Sequence, residues 1–251
     1  MSTDTGPRAL VVDDQRVNQL LAQHLLQQLG FVVELADDGE QAVLAVQTGG
    51  FDLVLMDLQM PTMDGWQATR LIRQWEQQQA KTRIPIIALT AYSESASREH
   101  ELSVGIDGYL PKPLTLKALQ TALLETRPNL PVADSSPGNG PKYSPVSRQR
   151  MLARLGHDEA ALQDMVKAFR IDLRKCLNQT WQGMQSQDWA LVDAQAHGLK
   201  GLLSSMTAEA AAADARALEL AARAGDAVGA KAAFSELSGS AKLAFDAVKT
   251  W

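Results

Sequence analysis

The stretch Phe51–Gly65 constrains the fold more than any other part of the chain. Five of the six residues in Phe51–Met56 are apolar, a pattern typical of a strand buried on both faces of a parallel sheet. The apolar run ends at Asp57, and Pro61 and the pair Asp64-Gly65 then predict a turn into a helix. Because open α/β sheets bind their ligands at the carboxyl ends of the strands, Asp57 is predicted to lie at a ligand site.

Strand and helix patterns alternate through the first half of the chain. Short apolar runs predict strands at Ala9–Val12, Phe31–Leu35, Phe51–Met56, Ile84–Leu89 and Ile106–Leu110. Helical patterns follow each of them, at Asn18–Leu29, Asp38–Gln47, Trp66–Gln78, Ser95–Val104 and Leu114–Thr126. This alternation predicts an α/β fold with a doubly wound, parallel, five-stranded sheet.

Polar side chains follow four of these strands. Asp13 and Asp14 follow the first strand, Asp57 the third, Thr90 the fourth and Lys112 the fifth. The ends of such strands converge, so we expect three carboxylates in one crevice, where Mg²⁺ would offset their repulsion. Together with the hydroxyl and the ammonium group, they form a site suited to phosphoryl transfer onto a carboxylate. Taken singly, each residue also has an ordinary interpretation, such as a helix cap or a solvated charge.

The motifs of the first half resemble those of a response-regulator receiver domain of the chemotaxis type. The resemblance covers residues 8–126 and rests on Val11-Val-Asp-Asp14, Asp57-Leu-Gln-Met-Pro-Thr-Met-Asp-Gly65, Leu89-Thr-Ala91 and Lys112-Pro113. It implies the flavodoxin-like strand order of that family. It also implies that Asp57 is the phospho-acceptor, and that Mg²⁺ binds Asp14 and Asp57 directly, Asp13 through water, and the main-chain carbonyl of Gln59.

The same resemblance implies how the phosphoryl group is held and sensed. Thr90 and Lys112 are expected to contact it, and a cis peptide bond is expected before Pro113. Tyr109 matches the aromatic switch that turns inward with Thr90 on phosphorylation. An ordinary half-buried strand aromatic is the alternative interpretation of Tyr109.

A segment rich in proline and glycine separates two differently patterned halves. We predict a first domain at residues 1–127, a linker at 128–147 and a second domain at 148–251. Five of the ten prolines fall within Arg127–Ser147, which favours an extended connector over a strap packed against one domain. Beyond it, helical patterns at Arg148–Leu155, Asp158–Gln185, Asp188–Met206, Ala208–Ala224 and Asp226–Lys249 predict an all-α antiparallel bundle of four substantial helices.

The third of these helices carries a histidine on its polar side. Apolar residues between Leu191 and Met206 fill one arc of about 120°, and His197 falls opposite them. Gly201, one turn on, leaves room for the close approach of another body, and Lys200 favours an incoming phosphoryl group. A neutral imidazole nitrogen is a competent nucleophile at neutral pH.

The motif Ala196-His-Gly-Leu-Lys-Gly201, in a helical bundle behind a receiver, resembles that of a histidine-phosphotransfer (HPt) domain. The resemblance implies that His197 carries a phosphoryl group to or from a receiver aspartate, with Lys200 assisting. Thr207 departs from the family pattern, which usually has glycine before the next helix.

Composition excludes several other classes. The net charge is −5, and residues 1–127 alone hold 16 Asp/Glu against 10 Lys/Arg, which argues against a general nucleic-acid binder. The single cysteine, Cys176, cannot form an internal disulfide, and no apolar run reaches the roughly 18 residues of a membrane span. We therefore expect a cytoplasmic protein without a membrane partner.

These observations predict a two-component phosphorelay protein of the kind found also in the C-terminal part of hybrid histidine kinases. Its expected partners are a histidine kinase and a downstream response regulator. It is expected to be a phosphocarrier, not an enzyme that makes phosphohistidine from ATP. A phosphate sink and a docking inhibitor of a partner kinase are the alternatives, and the oligomeric state stays open.

Overall fold

Five parallel strands form the centre of the first of two units into which the chain divides. The computed structural model describes residues 6–90, 104–126 and 146–251. The strands are β1 (Arg8–Val12), β2 (Val32–Ala36), β3 (Leu53–Asp57), β4 (Ile86–Thr90) and β5 (Gly108–Pro111). They pair in the order β2-β1-β3-β4-β5, and every pair is parallel. The predicted five-stranded parallel sheet is confirmed, and its order reverses between β1 and β3, where such sheets open a crevice.

The strand bounds differ from the predicted ones by at most two residues. Strand β3 begins at Leu53 instead of Phe51, and it includes Asp57 as its last residue. Its five residues are all buried, as expected of a central strand of a parallel sheet. Strand β4 begins after Pro85, whose main chain offers only a carbonyl to the ladder and accepts from Val54 N at 2.9 Å.

Four helices of the sequence that forms the sheet lie within the described residues. They are α1 (Arg16–Gln28), α2 (Gly39–Thr48), α3 (Gly65–Gln78) and α4 (Leu116–Thr126). The side chains of Asp38 and Asp64 cap α2 and α3 by accepting from main-chain amides. The predicted helix Ser95–Val104 lies outside the described residues apart from its last one.

The second unit is helical throughout its described length. A short helix, α5 (Arg148–Arg154), precedes four longer ones, α6 (Glu159–Ser186), α7 (Trp189–Ser205), α8 (Glu209–Arg223) and α9 (Ala227–Val248). Each long helix packs against the next, and α9 returns to α6, which closes the predicted antiparallel four-helix bundle around Phe169. Asp158, Asp188 and Asp226 cap α6, α7 and α9. Within the described ranges no helix is long and apolar enough to cross a bilayer.

The turn after α7 explains why glycine is usual at the position of Thr207. Thr207 has a φ of +60°, in the left-handed region that a β-branched residue rarely adopts. The following amide, Ala208 N, donates to Leu203 O at 2.8 Å, as in the glycine-ended helix termini that this conformation permits. The turn is therefore formed without glycine. The predicted domain bounds at residues 127 and 148 stay predictions, since most of the linker lies outside the described residues.

Candidate functional sites

An acidic crevice lies at the carboxyl ends of β1 and β3. One oxygen each from Asp13, Asp14 and Asp57 lie within 4.8 Å of one another. Lys112, which follows β5, reaches the same place and donates through Nζ to Asp13 Oδ2 at 2.7 Å and to Asp57 Oδ2 at 2.6 Å. Asp13 and Asp57 are buried, whereas Asp14 is exposed. The structure thus brings together four of the residues that the strand-end pattern predicted.

The electrostatics of the crevice favour a bound cation. Burial and the charge of Asp13 raise the pKa of Asp57, and Lys112 opposes this shift. Desolvation and the charges of Asp13 and Asp57 raise the pKa of Asp14 to about 7. Because the Asp14 side chain is exposed, we regard the repulsion by its neighbours as the decisive cause. The same two carboxylates raise the pKa of Lys112 in spite of its burial, so its ammonium stays charged.

The donor set fits a hydrated divalent cation. Three carboxylates offer only oxygen, the ligand that Mg²⁺ prefers, and the exposed Asp14 leaves one side open for water. Lys112 Nζ contacts Asp57 Oδ2, so a phosphoryl group on Asp57 would have a positive charge beside it.

A tight turn holds Asp57 at the end of β3. Gly65 lies so close to the main chain of Asp57 that an added Cβ would clash with Asp57 O. Gly65 N donates to Leu58 O at 3.2 Å, and Gln59 N donates to Asp57 Oδ1 at 3.3 Å. Glycine is therefore required here for close approach. The metal-binding role of the Gln59 carbonyl stays a prediction.

The remaining predicted receiver residues lie on the neighbouring strands. Thr90 is the last residue of β4, and Lys112 N donates to Thr90 O at 2.7 Å. The bond between Lys112 and Pro113 is cis, as the resemblance implied. Tyr109 lies on β5 with 37% of its surface exposed, an outward position from which the predicted inward turn would start.

The second site centres on His197 in the middle of α7. Its Nδ1 lies 2.7 Å from Oε1 of Glu219, which belongs to the neighbouring helix α8. Lys200 Nζ donates to the other oxygen, Glu219 Oε2, at 2.9 Å and lies 3.3 Å from His197 Nδ1. Gly201 follows His197 by one turn on the same helix. The structure therefore joins two of the predicted residues, His197 and Lys200, through a carboxylate that was not predicted.

The geometry determines which imidazole nitrogen carries the proton. Glu219 is buried, which opposes ionisation, but the hydrogen bonds and charges of His197 and Lys200 hold its pKa at about 2. An ionised carboxylate only accepts, so the 2.7 Å contact requires a proton on Nδ1. The longer 3.3 Å approach of Lys200 to Nδ1 is then a close contact and not a hydrogen bond. In the neutral ring, Nε2 therefore holds the free lone pair.

A pattern in the sequence could have indicated Glu219. Helix α8 is rich in alanine, and its buried stripe runs through Ala215, Leu218 and Ala222. Glu219 lies within this stripe, where an unpaired carboxylate would be costly. A charged residue at helical spacing among buried alanines therefore predicts a partner on the facing helix.

Comparison with known proteins assigns both units to families. Residues 9–124 match the response regulator receiver domain, and residues 164–251 match the Hpt domain. The chain thus joins the two domain types of two-component phosphorelay systems, a receiver and an Hpt domain. Residues 9–124 belong to the receiver family and residues 164–251 to the Hpt family.

The individual relatives are sensor kinases. Sensor histidine kinase GacS of Pseudomonas protegens is 46% identical over 120 residues, which are 48% of this chain and 13% of GacS. Sensor protein EvgS of Escherichia coli is 31% identical over 179 residues, 71% of this chain and 14% of EvgS. A solved receiver domain of sensor histidine kinase PA1611 from Pseudomonas aeruginosa, which holds a magnesium ion, is 39% identical, with coverage of 49% and 98% and a TM-score of 0.43. The chain thus spans only a small part of the length of GacS and EvgS.

Proposed function

We propose that Asp57 and His197 are the two phosphoryl-carrying residues of this phosphorelay protein. The observation that supports this role for Asp57 is its contact with Lys112. The ammonium nitrogen of Lys112 lies 2.6 Å from Asp57 Oδ2, in a crevice of three carboxylates. For His197 the corresponding support is the contact of Nδ1 with Glu219. The predicted alternatives, a phosphate sink and a docking inhibitor, gain no support from the family matches.

At Asp57 the proposed step is displacement at phosphorus. A carboxylate oxygen of Asp57 attacks the phosphoryl group of a donor phosphohistidine, the phosphorus–nitrogen bond breaks, and the donor imidazole departs with its electron pair. Lys112 holds Asp57 before the reaction and is in place to contact the added oxygens. A Mg²⁺ ion bound by Asp13, Asp14 and Asp57 would supply further neutralising charge. Thr90 is proposed to contact the phosphoryl group, and Tyr109 to follow it inward.

At His197 the nucleophile is Nε2. The lone pair of Nε2 attacks the phosphorus of a phosphoaspartate, and the carboxylate of the donor leaves. The ring becomes positively charged in this step, and Glu219 offsets that charge through its bond to Nδ1. Lys200 is proposed to attract the incoming phosphoryl group, and Gly201 to allow the approach of the donor domain. The residues act in reverse when His197 donates.

The proposed protein is a phosphocarrier between other signalling proteins. A histidine kinase would supply the phosphoryl group, and a downstream response regulator would receive it. The same two residues would also permit transfer of the phosphoryl group between Asp57 and His197 of one chain.

Phosphotransfer from a phosphorylated cognate kinase tests this assignment. We expect the Asp57→Asn variant to lose the base-labile acyl phosphate and the His197→Gln variant to lose the acid-labile phosphohistidine. Asp164→Asn and His24→Gln serve as matched controls, because Asp164 is an exposed residue of helix α6 and His24 lies on helix α1, and neither belongs to the residues of the two sites. Label that persists unchanged in the double variant of Asp57 and His197 would contradict the proposal.

A further inference from the structure

We propose that Arg223 is a positioning residue for His197 and acts through Glu219. Arg223 Nη2 donates to Glu219 Oε1 at 2.8 Å, the same oxygen that contacts His197 Nδ1 at 2.7 Å. Arg223 Nε donates to Asp193 Oδ1 at 2.9 Å. This inference rests on the proposed role of His197 as the phosphoryl-carrying residue.

The contacts form a brace between two helices. Asp193 lies one turn before His197 on α7, and Arg223 lies one turn after Glu219 on α8. Arg223 therefore joins α7 to α8 one turn away from the histidine, while Glu219 joins them at the histidine itself. A guanidinium suits this place because its planar fork can engage two carboxylates at once, whereas an ammonium cannot fix their orientation.

Arg223 determines the orientation of the Glu219 carboxylate. Glutamate has several rotatable bonds, and Lys200 already binds Oε2 at 2.9 Å. Without Arg223, the carboxylate is free to rotate so that Lys200 draws both oxygens toward itself. With Arg223 in place, Oε1 stays between the guanidinium and the imidazole, in line with Nδ1.

The brace also balances charge around the imidazole. The charged side chains that surround His197 in these contacts are Asp193 and Lys200 from α7 and Glu219 and Arg223 from α8. Helix α6 meets α7 at Gly183 through the apolar side chains of Val192 and Leu191. Two cations and two carboxylates cancel, so the network is neutral with a neutral ring. The expected consequence is a strong preference for the tautomer with Nδ1 protonated and Nε2 free.

The tautomer preference is measured directly by ¹⁵N NMR of the His197 ring in the full chain at a pH where the ring is neutral. Wild type is expected to show the Nδ1–H form, and Arg223→Met is expected to shift the population toward Nε2–H. Arg223→Lys should restore part of the effect, and Asp193→Asn should reproduce a weaker form of the loss. Arg216→Met, an exposed arginine of the same helix, is the matched control. An unchanged tautomer ratio in Arg223→Met overturns the proposal.

A double-mutant cycle separates action through Glu219 from general damage to the bundle. Potassium phosphoramidate serves as the phosphoryl donor in an Asp57→Asn background, so that label on His197 is read alone. We expect Arg223→Met to slow phosphohistidine formation about tenfold when Glu219 is present. In a Glu219→Gln background the same substitution should have less than about a twofold effect.

Failure of the positioning role of Arg223 and failure of the phosphoryl-carrying role of His197 give different results. An equal loss of rate in both backgrounds shows that Arg223 acts independently of Glu219, and this refutes the positioning role alone. Absence of phosphohistidine in every variant, including the parent, refutes the role of His197 on which the proposal depends. The ring tautomer still reports on Arg223 in that case, and circular dichroism at 222 nm excludes variants that fail to fold.

Discussion

Replacing Glu219 by glutamine tests the electrostatic account of the His197 site. The carboxylate is 3% exposed, and its pKa falls from 4.5 to about 2 in the folded protein because His197 and Lys200 bind it. A depression of about 2.5 pKa units corresponds to roughly 3 kcal/mol of folding free energy, at about 1.4 kcal/mol for each unit. This stabilisation is fully present above pH 4.5 and is lost as the pH falls toward 2.

The Glu219→Gln variant lacks the ionised group and should lose this contribution. We expect it to unfold with a free energy lower than that of wild type by about 3 kcal/mol at pH 7. At pH 3 most of the stabilisation by ionised Glu219 is lost, so the difference in unfolding free energy between wild type and variant should shrink to about 1 kcal/mol. The pH window follows from the sign of the shift, because a depressed carboxyl pKa stabilises only where the unfolded carboxyl is already ionised.

Urea unfolding of the full chain, followed by hydrogen–deuterium exchange mass spectrometry, measures the difference for α7 and α8 separately from the sheet. Glu236→Gln is the matched control, since Glu236 is an exposed glutamate of helix α9. It should change stability by less than about 0.5 kcal/mol at either pH. A Glu219→Gln difference that stays the same between pH 7 and pH 3 would refute the assignment of the stabilisation to an ionised Glu219.

Three further predictions concern the receiver. Lys112→Met leaves the carboxylate of Asp57 buried without the ammonium group that pairs with it, so it should destabilise the first unit by about 3–5 kcal/mol in urea unfolding. Added Mg²⁺ should restore part of the lost stability, and an equal loss with and without Mg²⁺ would contradict this. Asp14 must release its proton to bind a cation, so calorimetry should show Mg²⁺ affinity falling by up to about tenfold per pH unit below pH 7, and not above it. Gly65→Ala should cost more than about 3 kcal/mol in thermal unfolding, whereas Gly239→Ala, with open space around it in α9, should stabilise by about 0.5–1 kcal/mol.

The receiver crevice was predictable because one rule of topology brings its residues together. Asp13, Asp57 and Lys112 are far apart in the chain, yet each lies at the carboxyl end of a strand of the same parallel sheet. Carboxyl ends of parallel strands converge whatever the intervening helices contain. The pattern did not predict that Lys112 would bind both Asp13 and Asp57. Strand ends show which residues lie near one another, but they do not show which side chains form hydrogen bonds.

The HPt site was predictable only in part. Helical periodicity placed His197 and Lys200 on one side of α7, since a helix determines its own faces. Glu219 and Arg223 lie on a different helix, and their approach depends on the rotation and the height at which α8 packs against α7. Periodicity within one helix carries no information on that register.

The sequence by itself determined the order of the elements, the strand-end carboxylates and the helix that bears His197, since these depend on local periodicity and chain direction. Tertiary structure alone decided which nitrogen of His197 is free and which charges surround it. Those properties arise from contacts of about 3 Å between side chains such as His197 and Glu219, 22 residues apart along the chain. Only the packing of one helix against another brings such atoms together.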